Sequence, residues 1–346
     1  MASHPELKAT AALVPHPLIL CGMPRTGTTL LYNLLACDPA CRAPLLTEMI
    51  QPVPPLARSD TVGQMQRNIA AQGSSEMLKA FGLTDYQQDR LASHPIFANE
   101  EDLIILYQAG CQWFNSMLTP HDNDELLLCV DAPRSHWLLK TPFHGLYLDE
   151  LMHHYPSASL IMTHRRLDDV LSSFCHLSTV YARPYFDSNT INTAVNIQTV
   201  VKRTLHLMDT LIHRLVKFRR NHQDVSCFDV LYDDLLAQPI NTVRRIYNHF
   251  GLAWSEEFEM AMLAWLHDNP QGKHGRHSYT LNDCGMILDD IELRYREYIK
   301  RKKKWVIEKL KTGEFIATVE PPSSSHGSFW EHLLRIKRLN NEYPPF

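Results

Sequence analysis

The run Pro24-Arg25-Thr26-Gly27-Thr28-Thr29 follows the apolar stretch Leu18-Ile19-Leu20-Cys21-Gly22 and precedes Leu30, Leu31, Leu34 and Leu35 at helical spacing. A buried strand that turns sharply into a helix leaves the first N–H groups of that helix unpaired, and those groups, with the helix dipole, bind anions. The outline is that of a P-loop. Gly22 and Gly27 stand at the spacing of its two glycines, but Thr28 occupies the place of the lysine that precedes the hydroxyl residue, here Thr29. In enzymes that cleave nucleoside triphosphates, that lysine holds the β- and γ-phosphates while the next hydroxyl holds magnesium. Its absence points to an anionic nucleotide that is not split at a γ-phosphate, with Arg25 supplying positive charge from inside the loop.

Other residues along the chain carry matching chemistry. Glu48 follows the loop helix through Pro44-Leu45-Leu46-Thr47, which can bring its carboxylate back to the edge that holds the loop, where it can take a proton from an acceptor hydroxyl. The stretch Trp137-Leu138-Leu139-Lys140-Thr141-Pro142-Phe143-His144 reads as a strand ending on Lys140, at the end where ligands bind in open α/β sheets. His144 is a second candidate base or an ordinary first-turn residue, whereas His136, His153 and His154 read as surface or helix histidines. A third strand delivers Arg165 and Arg166, and Ser173 lies about two helical turns beyond, so guanidinium and hydroxyl can hold one phosphate between them. The alternative for the arginines is surface pairing with Asp168 and Asp169. A basic loop, Lys273-His274-Gly275-Arg276-His277, either closes over a nucleotide or is plain surface. No metal is expected, because no H-E-x-x-H or paired C-x-x-C spacing occurs.

These residues need a scaffold. Buried strands are predicted at 18–22, 137–140, 159–163 and 226–230, separated by helical patterns, which implies an α/β fold with a P-loop-like parallel sheet and helices on both faces. The longest helix is predicted from near Asn189, with apolar residues at Val195, Val200, Val201, Leu205, Met208, Leu211, Ile212 and Leu215. Another covers 241–250 and ends at Gly251. Residues 52–125 break the rhythm and read as a mainly helical insertion, with helices at about 62–81 and 99–117, lying over the C-terminal edge of the sheet. The basic run 300–304 and the Pro/Ser-rich stretch 320–328 read as solvated and loose, and the tail at about 313–346 is expected to be loose. The whole of 1–346 reads as a single domain.

A chain of 346 residues, 45% hydrophobic, buries a large core without staples, and a net charge of -4 gives no reason to expect nucleic acid or anionic membrane as a partner. The eight cysteines are scattered without a C-x-x-C pair, and Pro15 and Pro17 interrupt the apolar residues near the N-terminus. A cytoplasmic enzyme without a secretion or anchoring signal is the expectation.

Taken in this order, the elements resemble the sulfotransferases that use 3′-phosphoadenosine 5′-phosphosulfate (PAPS), in particular the branch with a Pro-Arg-x-Gly-Thr-Thr loop, similar to that of tyrosylprotein sulfotransferases. The match runs from about Pro17 to Met286, and includes Phe228-Asp229-Val230 with Tyr232-Asp233-Asp234, Arg245-Ile246-Tyr247, and His277-Ser278-Tyr279 followed by Gly285. The resemblance implies that Pro24 to Thr29 grip the 5′-phosphosulfate and that Arg165 and Ser173 grip the 3′-phosphate. It places Glu48 where relatives have their base and Lys140 near the transferred group. The implied reaction is in-line transfer of a sulfuryl group from PAPS, as co-substrate, to a hydroxyl-bearing acceptor, with a small molecule expected. Arg166-Leu167 stands where many relatives have Asp-Pro, and Cys284 where an aromatic is common. The rival readings are a magnesium-dependent P-loop kinase and a non-catalytic nucleotide-binding protein of the same fold. Acceptor identity and oligomeric state are not written in these motifs.

Overall fold

The structure, a computed structural model, describes residues 17–51, 56, 59–80, 84–108, 135–183, 197–270 and 280–311. Strand β1 (Leu18–Gly22), buried throughout, runs through the loop into α1 (Thr28–Leu35). There follow β2 (Cys41–Arg42), α2 (Leu46–Ile50), α3 (Thr61–Ala80), α4 (Thr84–Ser93) and α5 (Leu103–Gln108). The sheet resumes with β3 (His136–Lys140), a proline-led 3-10 turn (Pro142–Leu146), α6 (Leu148–His154), β4 (Ser159–His164) and α7 (Leu167–Ala182). The remaining elements are α8 (Ile197–Asn221), β5 (Cys227–Leu231), α9 (Tyr232–Ala237), α10 (Pro239–Phe250), α11 (Glu256–Asp268), α12 (Leu288–Arg294) and α13 (Arg296–Lys311).

The five strands among the described residues are all parallel, in the order β2-β3-β1-β4-β5, so the chain leaves β1 toward one edge and later returns to its other side. The loop after β1 therefore opens where the strand order reverses, which is where ligands bind in such sheets. Alternate residues face opposite layers. Ile19, Cys21, Leu160 and Met162 pack against Val170, Leu171 and Phe174 of α7 and Met208, Leu211 and Leu215 of α8. Leu18, Leu20, Leu138, Ile161 and Phe228 pack against Leu31 and Leu34 of α1 and Val243, Ile246 and Tyr247 of α10. Helix α10 ends at Gly251 in the left-handed conformation (φ 65°), as its sequence predicts.

Several expectations need correction. Strand β2 is too short to show a hydrophobic period, and α4 has a polar sequence with no apolar stripe. The basic run 300–304 is not loose: it forms the middle of α13, and its Lys302 is half-buried. His136 is not a surface residue but is buried within β3, where burial lowers its pKa below the usual histidine value. The predicted helix start near Asn189, the second half of 99–117, Lys273, Arg276 and the tail 313–346 lie outside the described residues. Among the described residues, no helix is long and apolar enough to cross a membrane.

Candidate active site

The loop owes its shape to backbone conformations that its sequence permits. Gly22 has φ 128°, and a Cβ placed on it would come within 2.9 Å of the Thr163 carbonyl oxygen, so only glycine lets β1 and β4 approach this closely. Gly27, at φ 86°, is the N-cap of α1. Thr26 is fully buried; its hydroxyl donates to the Met23 carbonyl at 2.6 Å and lies 2.5 Å from the Thr163 hydroxyl. Its side chain thus braces the loop from behind, and Pro24, with no N–H, can only shape it. Thr28 and Thr29 open α1, so their N–H groups point out of the helix end as donors for an anion.

Arg25 adopts φ 64°, a left-handed conformation that costs a non-glycine residue about 1–3 kcal/mol and persists where its surroundings enforce it. Its Nε donates to Ser173 Oγ at 2.9 Å and its Nη1 to the Ser93 carbonyl at 3.1 Å, the latter from α4. Arg165, delivered by the end of β4, donates from Nη1 to the Arg25 carbonyl at 3.2 Å and lies 4.3 Å over the Tyr232 ring. The loop, Arg165 and Ser173 therefore meet in one hydrogen-bonded group. Arg165 also faces Asp169 at 3.4 Å, whereas Arg166 is largely exposed and pairs with Asp168 at 2.6 Å. Surface pairing thus describes Arg166 fully and Arg165 in part, since Arg165 faces Asp169 and also bonds the loop.

Lys140 closes β3 with a fully buried side chain, 2.9 Å from Glu101 and 5.6 Å over the Tyr32 ring. Thr141 Oγ1 donates to the other oxygen of Glu101 at 3.2 Å. His144 sits in the 3-10 turn after β3, and its Nε2 lies 2.9 Å from Asp102 Oδ2. The Asp102 N–H donates to the Lys140 carbonyl at 3.2 Å, which joins the two pairs through the backbone. Glu48 is bonded differently: both of its oxygens accept from the Arg42 guanidinium, at 2.9 and 3.2 Å, and one accepts the Leu45 N–H at 2.8 Å. The buried Arg42–Glu48 pair fastens α2 to the end of β2.

The model of the family described as "Sulfotransferase family" matches residues 17–256, which contain the loop, Glu48, Lys140, His144, Arg165 and Ser173. The chain belongs to the sulfotransferase family. Sulfotransferase STF9 from Mycobacterium avium shares the fold, with 24% identity and a TM-score of 0.69 over 87% of this chain and 79% of that one. Sulfotransferase STF1 from Mycobacterium tuberculosis, also 24% identical, has a TM-score of 0.61 over 85% of this chain and 79% of its own. Curated proteins yield no match.

Sequence reasoning missed four residues that this candidate site brings together. Glu101 and Asp102 precede α5 in a run of acidic residues that nothing local distinguishes; their partners Lys140 and His144 lie on the far side of residues 109–134. Tyr232, at the start of α9, touches both Arg165 and the loop: its ring lies under Arg165, and a Cβ on Gly27 would come within 3.0 Å of it. Lys302 donates to the Arg165 carbonyl at 3.0 Å from α13, far along the chain. Glu100 adds a further charge beside Lys140. Its burial raises the carboxyl pKa, but the nearby His94, 3.9 Å away, and the Lys140 charge outweigh this and hold it below the usual range.

Proposed function

We propose that this family member is a PAPS-dependent sulfotransferase that moves a sulfuryl group to the hydroxyl of a small-molecule acceptor by in-line displacement. The observation that carries this reading is the convergence of Arg25, Arg165 and Ser173 on a phosphate loop that lacks the lysine of triphosphate-cleaving enzymes. A nucleotide with phosphate at both its 5′ and 3′ positions needs two anion subsites side by side. The N–H groups of Thr28 and Thr29 with Arg25 suit the first, and Arg165 with Ser173 suits the second. In this reading helices α3 to α5 shape the acceptor pocket, a role supported by the ties of their end to the loop and to α2: Arg25 bonds the Ser93 carbonyl, and Leu46 bonds the Ala98 carbonyl.

In the transfer, the acceptor oxygen attacks sulfur while the bond from sulfur to the 5′-phosphate oxygen breaks. The electron pair passes to that phosphate and leaves adenosine 3′,5′-bisphosphate. Arg25 and the loop amides stabilise the charge that grows on the leaving phosphate, and Lys140 holds a buried ammonium for the transferred oxygens, shared at rest with Glu101. The acceptor proton goes to His144. With Nε2–H donating to Asp102, Nδ1 carries the lone pair, and the carboxylate stabilises the imidazolium that forms. Glu48 can take that proton only by surrendering its bonds to Arg42, so its role in this reading is to anchor α2.

Affinities for adenosine 3′,5′-bisphosphate and for ATP with magnesium, in the wild type and in Arg165→Ala, test the reading. The wild type is expected to prefer the bisphosphate, and the variant to lose about 10- to 100-fold of that affinity, the range for one or two charge-assisted hydrogen bonds. Tighter binding of ATP with magnesium would sink the sulfotransferase reading in favour of a kinase.

A further inference from the structure

The basic run on α13 has no part in the function derived so far, yet one of its residues reaches the nucleotide site. Lys302 Nζ donates to the carbonyl of Arg165, the residue assigned above to the 3′-phosphate. The helix that carries it is locked by its neighbours on the same face. Tyr298, one turn before, has its hydroxyl 2.8 Å from His164 Nδ1, and Trp305, three residues after, lies with its ring centroid 5.7 Å from that of His164. The other ring nitrogen of His164 is 2.8 Å from Asp229, which Arg219 clamps through both oxygens at 3.1 Å, while the Arg219 guanidinium sits 4.7 Å over Trp305. A buried network thus fixes Tyr298 and Trp305 against the strand residue immediately before Arg165 and sets Lys302 at the strand end.

We propose that Lys302 is a positioning and specificity residue of the 3′-phosphate subsite: it holds the Arg165 backbone and adds a second cation there, so that α13 favours 3′-phosphorylated nucleotides. The inference rests on the PAPS reading above. The other charges around the lysine are mixed. Asp168 and Asp233 are near it, as are Arg166 and Lys303, and burial lowers its pKa most. A lysine placed like this gains from an incoming anion more than an exposed one does, because water already screens the exposed one. Lys303 and Lys304, next on the helix, are exposed and serve as the comparison.

The test measures binding of adenosine 3′,5′-bisphosphate and of adenosine 5′-phosphate to wild type, Lys302→Met, Lys302→Gln, Lys302→Arg and Lys303→Met, with melting temperature as the folding control. The Met and Gln variants are expected to lose about tenfold in bisphosphate affinity with 5′-phosphate affinity unchanged; Lys302→Arg restores most of it and Lys303→Met changes neither. Equal weakening of both nucleotides, which a merely structural lysine would give, overturns the proposal, and so does an unchanged bisphosphate affinity. Should the Met variant fail to fold, the polar Gln variant decides. The wild type separates the two levels of inference. A wild type with no preference for the 3′-phosphate fails the PAPS reading and this proposal with it, whereas a preference that survives removal of Lys302 fails this proposal alone.

Discussion

Glu48 and Asp102 are both carboxylates bonded to a basic side chain, but the partners differ in what they leave behind. The Arg42 guanidinium, which has donors and no acceptor, occupies both oxygens of Glu48 in a pair whose side chains are only 9% and 11% exposed. Asp102 meets an imidazole, which has a second ring nitrogen that can accept a proton. Glu48→Gln is therefore expected to act on stability: it leaves the Arg42 charge buried without its counterion, a loss of about 3–5 kcal/mol in urea unfolding. His144→Asn is expected to act on turnover, with kcat lowered by about 10² to 10⁴ while bisphosphate affinity and melting temperature stay as they were. If the outcomes were exchanged, with Glu48→Gln folding normally and losing turnover, the base would be Glu48.

At the scale of the elements, the phosphate loop depends on how closely β1 and β4 approach at Gly22 and Thr163. Gly22→Ala both forces a side chain into φ 128° and drives its Cβ to 2.9 Å from the Thr163 carbonyl oxygen. A stability loss of about 1–3 kcal/mol, read by urea unfolding, with weakened bisphosphate binding, is expected. Wild-type behaviour on both counts would mean that the loop does not depend on this contact. The same elements show what the sequence could convey. Strands β1, β3, β4 and β5 were legible because their central residues are mostly apolar, interrupted in β5 by Asp229, and the loop because its glycines are local requirements. Strand β2 was not, since two residues hold no period. Glu101 and Asp102 were not, since acidic residues at a helix start have an ordinary local explanation and their partners arrive only when β3 folds beside them. Lys302 was hidden for a different reason. Within a run of basic residues, charge masked the face formed by Tyr298, Lys302 and Trp305, which a helix reveals once its register against His164 is known.

For the whole molecule, the buried histidines tie stability to pH. His164 is fully enclosed between Asp229 and Tyr298, and His136 is buried on β3. Burial lowers the pKa of both: the hydrogen bond to Asp229 opposes this at His164 and the Asp38 charge opposes it at His136, but each remains below the ordinary value of 6.5. Below about pH 6.5 the unfolded chain takes up protons that the folded molecule refuses, so stability is whole above that pH and falls as the medium is acidified toward the depressed folded values. Glu100 has the same sign in a lower window: its carboxyl is held below 4.5, so its contribution is lost only as pH drops beneath that value. Melting temperature is expected to decline as the pH falls below about 6.5 toward 5.5, before any carboxylate of this kind titrates. His164→Gln is expected to melt lower than wild type at pH 7.5, because Tyr298 and Asp229 lose an aromatic partner, but to lose less on acidification. The slope of melting temperature against pH, rather than its height, isolates the histidine. A wild-type slope of zero across this window would mean that the folded protein accommodates a protonated His164, and the network that fixes α13 against β4 would then have to carry a buried charge on both sides of Asp229.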